Sequence, residues 1–184
     1  MADAGYKIRD QYAIHFLTFA VVEWIDIFAR STYSNIIVNS LAYCQQNKAL
    51  NIHAWCIMSN HVHLIVSSNE PVALSEVLRD FKKYTSSKII KAIEENEQES
   101  RRNWMLWLFK KAGEKNKRNE TYQFWRQDNH PVECSTKDIL DSRLRYLHEN
   151  PVRANIVRNE WEYVYSSGVD YYTGGKGLLE ISFL

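Results

Sequence analysis

The sequence predicts an α+β fold in which helices cover one face of an antiparallel β-sheet. Aromatic and β-branched residues dominate three segments, residues 12–22, 51–58 and 61–67, as is typical of strands. The second and third segments are separated by Ser59 and Asn60, a spacing that predicts a β-hairpin and therefore antiparallel pairing. Helical patterns alternate with these strands, and the glycine-rich signature of doubly wound parallel sheets does not occur.

The first three elements of this fold are a strand, a helix and a second strand. The first strand is YAIHFLTFAVV, residues 12–22. Residues 32–46 form a helix, because Ile37 and Leu41 recur at the spacing of one helical face with polar residues between them. Residues 51–58 are a nearly continuous apolar run, which predicts a strand that is covered on both faces.

Two further helices are predicted after the hairpin. Residues 75–93 repeat apolar side chains at a helical spacing, and the opposite face of this segment is basic. Residues 135–150 show the clearest helical pattern. Ser135 and Asp138 resemble a capping box at its start, an apolar row runs along one side, and Pro151 marks its end.

Length and composition fit a single domain of residues 1–184. We expect a core at about residues 12–167 and a turn-rich C-terminal tail at the surface or against a partner. The three cysteines form no CxxC pair, so neither a disulfide framework nor a zinc knuckle is indicated. The N-terminus lacks the apolar stretch of a signal peptide, and no apolar run is long enough to span a bilayer. We therefore expect a cytoplasmic protein with no membrane partner.

Positive charge is concentrated in residues 79–118. The whole chain has a net charge of +1, but this segment contains twelve basic and six acidic residues, so it carries +6 and the remainder −5. Such asymmetry indicates either a solvated helical face or contact with a phosphate backbone. The candidates for phosphate contact are Lys82, Lys83, Arg101, Arg102, Lys110 and Lys111. The candidates for base stacking, with core packing as the favoured alternative, are Trp104, Trp107 and Trp125.

The triplet His61-Val62-His63 is the most informative short motif. On a strand, residues i and i+2 project from the same face, so the two imidazoles point together while Val62 faces the core. Two neutral imidazole nitrogens on one face suit a divalent cation. The alternative is a pair of half-exposed strand histidines, and the triplet alone does not decide between them.

The helix at residues 135–150 places a tyrosine and an asparagine on one stripe. With 3.6 residues per turn, Arg143, Tyr146 and Asn150 share one side, beside the apolar row. If this stripe faced the histidine pair, Asn150 could supply an oxygen ligand and Tyr146 a phenolate nucleophile. The alternative for Tyr146 is a packed aromatic residue at the edge of the core.

Five short blocks follow one another between residues 12 and 167: MSNHVHLIV, FKKYTSSKI, FWRQDNHPVE, YLHENPVRANIV and WEYVYSS. In this order they resemble the single-tyrosine HUH transposases, in their REP-associated tyrosine transposase branch. The first block resembles the HUH signature, in which a hydrophobic residue separates two metal-ligating histidines. Asn155 departs from the family pattern, which usually has glycine there, but asparagine tolerates the left-handed conformation that glycine often supplies.

The resemblance implies a ferredoxin-like antiparallel β-sheet with flanking α-helices. It implies metal-dependent cleavage and strand transfer of single-stranded DNA, in which Tyr146 attacks a phosphate to give a 5′-phosphotyrosine bond and a free 3′-hydroxyl. A divalent ion, Mg or Mn, is then held by His61 and His63, with Asn150 as the third ligand. The implied partner is single-stranded DNA with a hairpin beside the cut site, bound by a monomer or a homodimer.

Other interpretations stay open at this point. The chain could be a non-cutting module that binds DNA hairpins, or an unrelated metal hydrolase that uses the two histidines, a nearby acid and a water nucleophile. Tyr84 is a rival nucleophile, although its position fits an apolar stripe. His130 could approach the site from a loop, whereas His148 lies on a different helix face from Tyr146 and is not expected to be a ligand.

Overall fold

The fold was analysed in a computed structural model that describes residues 8–115, 121–127 and 130–184. Lys117 and Arg118 of the basic segment lie outside the described residues. The strands are β1 (His15–Ala20), β2 (Leu50–Ile57), β3 (His61–Ser68) and β4 (Val132–Glu133). The helices are α1 (Ser31–Asn47), α2 (Leu74–Glu95), α3 (Arg102–Glu114), α4 (Lys137–Arg153) and α5 (Gly168–Tyr172), with short 3₁₀ turns at Val22–Trp24, Ile27–Ala29 and Glu160–Glu162.

The four strands form one antiparallel sheet in the order β2-β3-β1-β4. This order, with α1 between β1 and β2 and with α2 and α3 between β3 and β4, confirms the predicted ferredoxin-like α+β fold. The hairpin turn at Ser59 and Asn60 is closed by a bond from the Met58 amide to the His61 carbonyl, 2.8 Å long. In the sheet His63 lies between Thr18 of β1 and Cys56 of β2.

Helices cover both faces of the sheet, as the apolar run of residues 51–58 predicts for β2, and not one face as the order of the elements suggests. A large core on one face contains side chains of α1, α2 and α3 packed on alternate strand residues such as Leu17 and Leu64. A smaller core on the other face contains Phe16, Ile65 and Leu147 of α4. The one-face expectation was wrong because successive strand residues point to opposite faces, and both sets are apolar and buried here. The arrangement places α4 against the face that carries the histidines.

Helix α4 begins and ends differently from the prediction. Its N-cap is Thr136, whose hydroxyl accepts from the Ile139 amide at 3.3 Å, and not Ser135. Pro151 lies inside the last turn, two residues before the helix ends, and does not itself mark the end. The end is a Schellman motif: Asn155, with φ of 57°, donates its amide to Val152, and the next amide bonds to Pro151. The left-handed tolerance expected of Asn155 is therefore used.

The C-terminal tail, expected at the surface, closes the outer edge of β2. The Ile57 amide bonds to the Tyr165 carbonyl, the Ser167 amide to Trp55, and the Ser182 amide to Ile52. Leu179 is 3% exposed and belongs to the large core. An unpaired strand edge invites association with another chain, and these bonds satisfy part of it within the fold. Within the described ranges, no helix combines the length and the apolar character needed to cross a lipid bilayer.

Candidate active site

The two imidazoles of β3 converge on one point. His61 and His63 project from the same face of the strand, and their Nε2 atoms are 3.1 Å apart. Their ring planes are nearly perpendicular, with centroids 4.6 Å apart. His63 is 3% exposed and His61 is half-buried. A ligand from solvent can therefore reach the pair from the side of His61.

Oxygen atoms of neighbouring side chains hold both Nδ1 atoms. Asn60 donates from its amide nitrogen to the Trp24 carbonyl, so its oxygen faces His61 Nδ1 at 2.6 Å. That oxygen can only accept, so His61 carries its proton on Nδ1 and presents a lone pair at Nε2. Thr18 Oγ1 lies 2.8 Å from His63 Nδ1 and can accept in the same way. Such contacts orient the rings of metal-binding histidines.

Both imidazoles are neutral near neutral pH. Burial lowers the pKa of His61. Burial, with a smaller contribution from the charge on His61, lowers the pKa of His63 to about 3. A neutral imidazole is the form that binds a metal ion, since the ligating nitrogen must have a free lone pair.

The pair fits a divalent metal ion. Two nitrogens bound at about 2.1 Å to one ion, with a right angle between them, are about 3.0 Å apart, close to the 3.1 Å between these two Nε2 atoms. Among residues 8–115, 121–127 and 130–184, no cluster of three His, Cys, Asp or Glu side chains is placed to hold a metal. A third protein ligand at this pair would therefore come from another residue type.

Tyr146 of α4 lies beside the histidine pair. Its ring centroid is 5.4 Å from that of His63 and 6.0 Å from that of Phe16, both in edge-on contact. The side chain is 38% exposed. It is therefore not a packed core residue: it contacts the imidazoles on one side and solvent on the other. Leu147, the next residue, is fully buried and anchors the helix on the sheet.

Asn150 lies one helical turn after Tyr146 on the same side of α4. Its amide nitrogen donates to the Tyr146 carbonyl at 2.7 Å, which leaves the amide oxygen as the atom available to a hard cation. The stripe predicted from the sequence therefore exists, and its Tyr146 faces His63. The role of Asn150 as a ligand stays a prediction.

Two arginines of α4 border the site. The guanidinium of Arg143 lies over the Phe16 ring, 5.2 Å from its centroid. That of Arg153 lies 6.0 Å from the Tyr146 centroid and pairs with Glu149. Phosphates are bound by such planar cations, and neither arginine was singled out from the sequence for this role. Residues 79–118 have an excess of basic residues, whereas α4 contains both signs of charge in alternation, so composition does not mark its arginines.

The six basic residues predicted to contact phosphate lie on elements of the large core, away from α4. Three already have partners: Lys82 donates to the Arg126 carbonyl, Arg101 pairs with Asp26 and Glu99, and Lys111 covers Trp107. Lys83 and Lys110 are exposed, and Arg102 is half-buried at the start of α3. None of these contacts involves the histidine pair itself, and contact of the six residues with DNA stays a prediction.

Two of the alternative residues, Tyr84 and His148, lie on the other side of the sheet or inside the fold. Tyr84, expected on an apolar stripe, is 57% exposed and lines a groove of about 590 Å³ between α1 and α2, which cover the face opposite to that of α4. His148 is fully buried and bonds to Ser167 Oγ at 2.8 Å, in line with its exclusion as a ligand. His130 is exposed at the approach to β4.

The tryptophans divide differently from the prediction. Trp125 is 5% exposed and its indole donates to Thr85, so it is a core residue as favoured. Trp104 and Trp107 are 49% and 56% exposed, and core packing is wrong for both. Trp24, which no sequence motif singles out, lies 6.1 Å from His61 between ring centroids. No local pattern marks it, because both exposed and buried residues flank it.

The chain is similar to known proteins both in sequence and in fold. The family model "Transposase IS200 like" matches residues 12–112, a range that includes both histidines of β3 but ends before α4. No curated protein matches the sequence. Among solved structures, a REP-associated tyrosine transposase bound to a REP hairpin is similar, with a TM-score of 0.63, 14% identity, and coverage of 96% of this chain and 94% of that one. A putative transposase from Deinococcus radiodurans matches with a TM-score of 0.47, 12% identity, and coverage of 79% and 94%.

Proposed function

The chain belongs to the family of IS200-like transposases, and on that basis we propose that it cleaves and rejoins single-stranded DNA with Tyr146 as its nucleophile and a divalent metal ion at His61 and His63. One observation carries the proposal. The converging imidazole nitrogens of β3 and the tyrosine of α4 come from segments more than 80 residues apart in the sequence, yet their rings are 5.4 Å apart. This pairs a metal site with a nucleophile.

In the proposed cleavage step, Tyr146 Oη forms a bond to the phosphorus of the scissile phosphodiester. The bond from phosphorus to the 3′ oxygen breaks, the phenol proton leaves to solvent, and the 3′ oxygen takes up a proton. The product is a 5′-phosphotyrosine and a free 3′-hydroxyl. Because one phosphodiester replaces another, the covalent link retains the energy needed for a 3′-hydroxyl to attack it and rejoin the strand.

The residues around Tyr146 support this chemistry in distinct ways. Phe16 and His63 contact its ring and limit its motion, which holds the phenol towards the imidazole pair. Arg143 and Arg153 supply positive charge at the same side of α4, where the DNA phosphates would approach. Asn150, held to the same helical turn, is the proposed third ligand through its amide oxygen.

His61, His63 and Asn150 would hold the metal, Mg or Mn. When bound, the ion polarises the scissile phosphate and stabilises the negative charge that develops on it. Two neutral imidazoles and an amide leave the ion its full positive charge, which suits this task. Thr18 and Asn60 keep the imidazoles oriented whether or not the ion is present.

The proposed DNA partner is a single strand that carries a hairpin. Two lines support this: the similar solved structure is bound to a REP hairpin, and arginines border the site on α4. A metal hydrolase with a water nucleophile would need an acid beside the histidines. Within the described part of the chain no acidic residue joins them in a metal-binding cluster, so we favour the tyrosine mechanism.

A covalent-adduct assay tests the proposal. The protein is incubated with a labelled library of single-stranded hairpin oligonucleotides in Mg²⁺, Mn²⁺ or EDTA, and the products are separated on a denaturing gel. We expect a metal-dependent protein–DNA band that disappears in Tyr146→Phe. The matched control is Tyr84→Phe, another exposed tyrosine, which should leave the band unchanged.

Two outcomes contradict the proposal. Hairpin binding without any adduct would indicate a non-cutting module of the same fold. Cleavage that survives Tyr146→Phe would assign the nucleophile to another group, and its loss in Tyr84→Phe would identify that group. Circular dichroism of both variants establishes that they are folded.

A further inference from the structure

Trp24 is an aromatic side chain held out of the core at the edge of the histidine pair. It follows β1 in the 3₁₀ turn Val22–Trp24 and is 52% exposed. The apolar residues on either side of it, Val22 and Ile25, are 5% and 2% exposed. The polar residues Glu23 and Asp26 are exposed as expected, but a large indole loses favourable burial when it faces solvent. Its exposure is therefore a feature to be explained.

The backbone that turns Trp24 outward is strained. Glu23 and Trp24 both have left-handed conformations, with φ of 53° and 54°. Residues other than glycine avoid this region because Cβ approaches the backbone, and two such residues in succession are unusual. Strain of this kind persists where the surrounding structure enforces it, and it is concentrated at binding and catalytic sites.

Two contacts fix the indole in place. The guanidinium of Arg126 lies over the Trp24 ring, 5.1 Å from its centroid. Asn60 donates to the Trp24 carbonyl at 3.3 Å while its oxygen accepts from His61. One amide thus links the position of Trp24 directly to an imidazole of the proposed metal site.

Trp24 and Tyr146 lie on opposite sides of the histidine pair. Trp24 contacts His61 at 6.1 Å, whereas Tyr146 contacts His63 at 5.4 Å, both between ring centroids. A single strand whose phosphate reaches Tyr146 and the imidazoles would therefore carry a neighbouring nucleotide past Trp24. Unpaired bases stack on exposed aromatic rings, and Trp24, with the Arg126 guanidinium over its indole, provides such a ring.

We propose that Trp24, backed by the Arg126 guanidinium, is a stacking site for an unpaired base next to the scissile phosphate. The inference deepens the proposed function and rests on it for the position of the phosphate. It assigns the indole a direct contact with the nucleobase, whereas the arginines of α4 contact phosphates. Removing the base from the DNA should therefore remove the contribution of Trp24.

The test measures binding of two probes in the Tyr146→Phe background, so that no covalent product forms. One probe is a thymidine oligonucleotide of about 20 nucleotides, and the other is an abasic strand of the same length and charge. Trp24→Ala should weaken binding to the thymidine strand by about tenfold, the size of one base–aromatic stack. It should change binding to the abasic strand less than twofold, and Trp24→Phe should restore most of the loss.

The matched control is Trp161→Ala. Trp161 lies in the 3₁₀ turn Glu160–Glu162, is 41% exposed, and its ring is 6.2 Å from that of Tyr172. Unlike Trp104 and Trp107, it is not a candidate for base stacking, so Trp161→Ala should affect neither probe by more than twofold. An equal loss on both probes in Trp24→Ala would show that Trp24 acts through charge or structure and would overturn the proposal. No loss on either probe, or the same selective loss in Trp161→Ala, would also overturn it.

A second measurement relates the site to cleavage. In an oligonucleotide that forms the Tyr146 adduct, an abasic nucleotide is moved one position at a time around the cut. Trp24→Ala should slow adduct formation at every position of the scan except one, where the base is already missing. Equilibrium binding needs no cleavage, so absence of any adduct would count against the proposed function alone. If an adduct forms but Trp24→Ala slows it equally at every position of the abasic nucleotide, the stacking site would be wrong.

Discussion

Replacing Thr18 with valine should weaken metal binding at the histidine pair without altering the shape of the fold. Valine has nearly the same volume as threonine but cannot hydrogen-bond. The substitution removes the oxygen that lies 2.8 Å from His63 Nδ1. His63 is 3% exposed, so solvent does not readily replace that oxygen. The imidazole then loses the contact that orients its ring and turns Nε2 towards His61.

The expected size follows from this single contact. Loss of a hydrogen bond to the second nitrogen of a ligating histidine typically lowers metal affinity by about 10- to 100-fold, which corresponds to about 1.4–2.7 kcal/mol. We expect Thr18→Val to lie in this range, because the rest of the ring's surroundings, including Phe16 stacked at 5.5 Å, is kept. Asn60→Ala should act similarly on His61, and it should also release the Trp24 carbonyl.

Calorimetric titration of the metal-free protein with Mn²⁺ measures this effect directly. Thr173→Val is the matched control, because the Thr173 hydroxyl makes local bonds at the end of α5, donating to the Val169 carbonyl and accepting from the Gly175 amide. Affinity of Thr18→Val within twofold of the unmodified protein would refute the reasoning about ring orientation. Absence of Mn²⁺ binding in the unmodified protein itself would refute the metal site.

Three further outcomes are expected. Burial lowers the pKa of His148 from 6.5 to about 4. The stabilisation that this gives is complete above pH 6.5, and about 3 kcal/mol of the free energy of unfolding should be lost as the pH falls to 4. Urea unfolding in EDTA should show a smaller pH dependence in His148→Gln. Ala49→Gly should raise the free energy of unfolding by about 1 kcal/mol, because Ala49 has φ of 53°; a lower melting temperature would contradict this. Leu147→Ala should lower the free energy of unfolding by about 3 kcal/mol, since the side chain is fully buried under α4. An unchanged denaturation midpoint would show that the small core repacks around the cavity.

Local patterns were sufficient for most of the secondary structure. The hairpin, the two long helices and the inward side of β3 follow from spacing that depends only on nearby residues, and Val62 is fully buried as predicted. Spacing also placed Tyr146 and Asn150 on one stripe of α4, because that is a property of the helix alone. The family resemblance supplied what spacing could not, namely which neighbour the stripe would face.

Residues whose exposure depends on distant packing were harder to predict. The apolar run of β2 predicts that both faces of this strand are covered, but it gives no signal of which helix covers which face. Tyr84 fits an apolar stripe by spacing, but it points away from the sheet at the rim of a groove. Trp24 is exposed through a left-handed backbone that its flanking apolar residues would not suggest. In each case tertiary structure overrides a correct local pattern.

The division of the site between two elements determines how the enzyme could be switched. His61 and His63 are fixed in the sheet, whereas Tyr146 and Asn150 ride on one helix capped at both ends by Thr136 and Asn155. Because a helix is stiff, the backbone positions of the proposed nucleophile and the proposed ligand move together. A slight lift or roll of this helix would withdraw both together, and its return would restore both. The position of α4 on the sheet would therefore decide whether the proposed site is assembled.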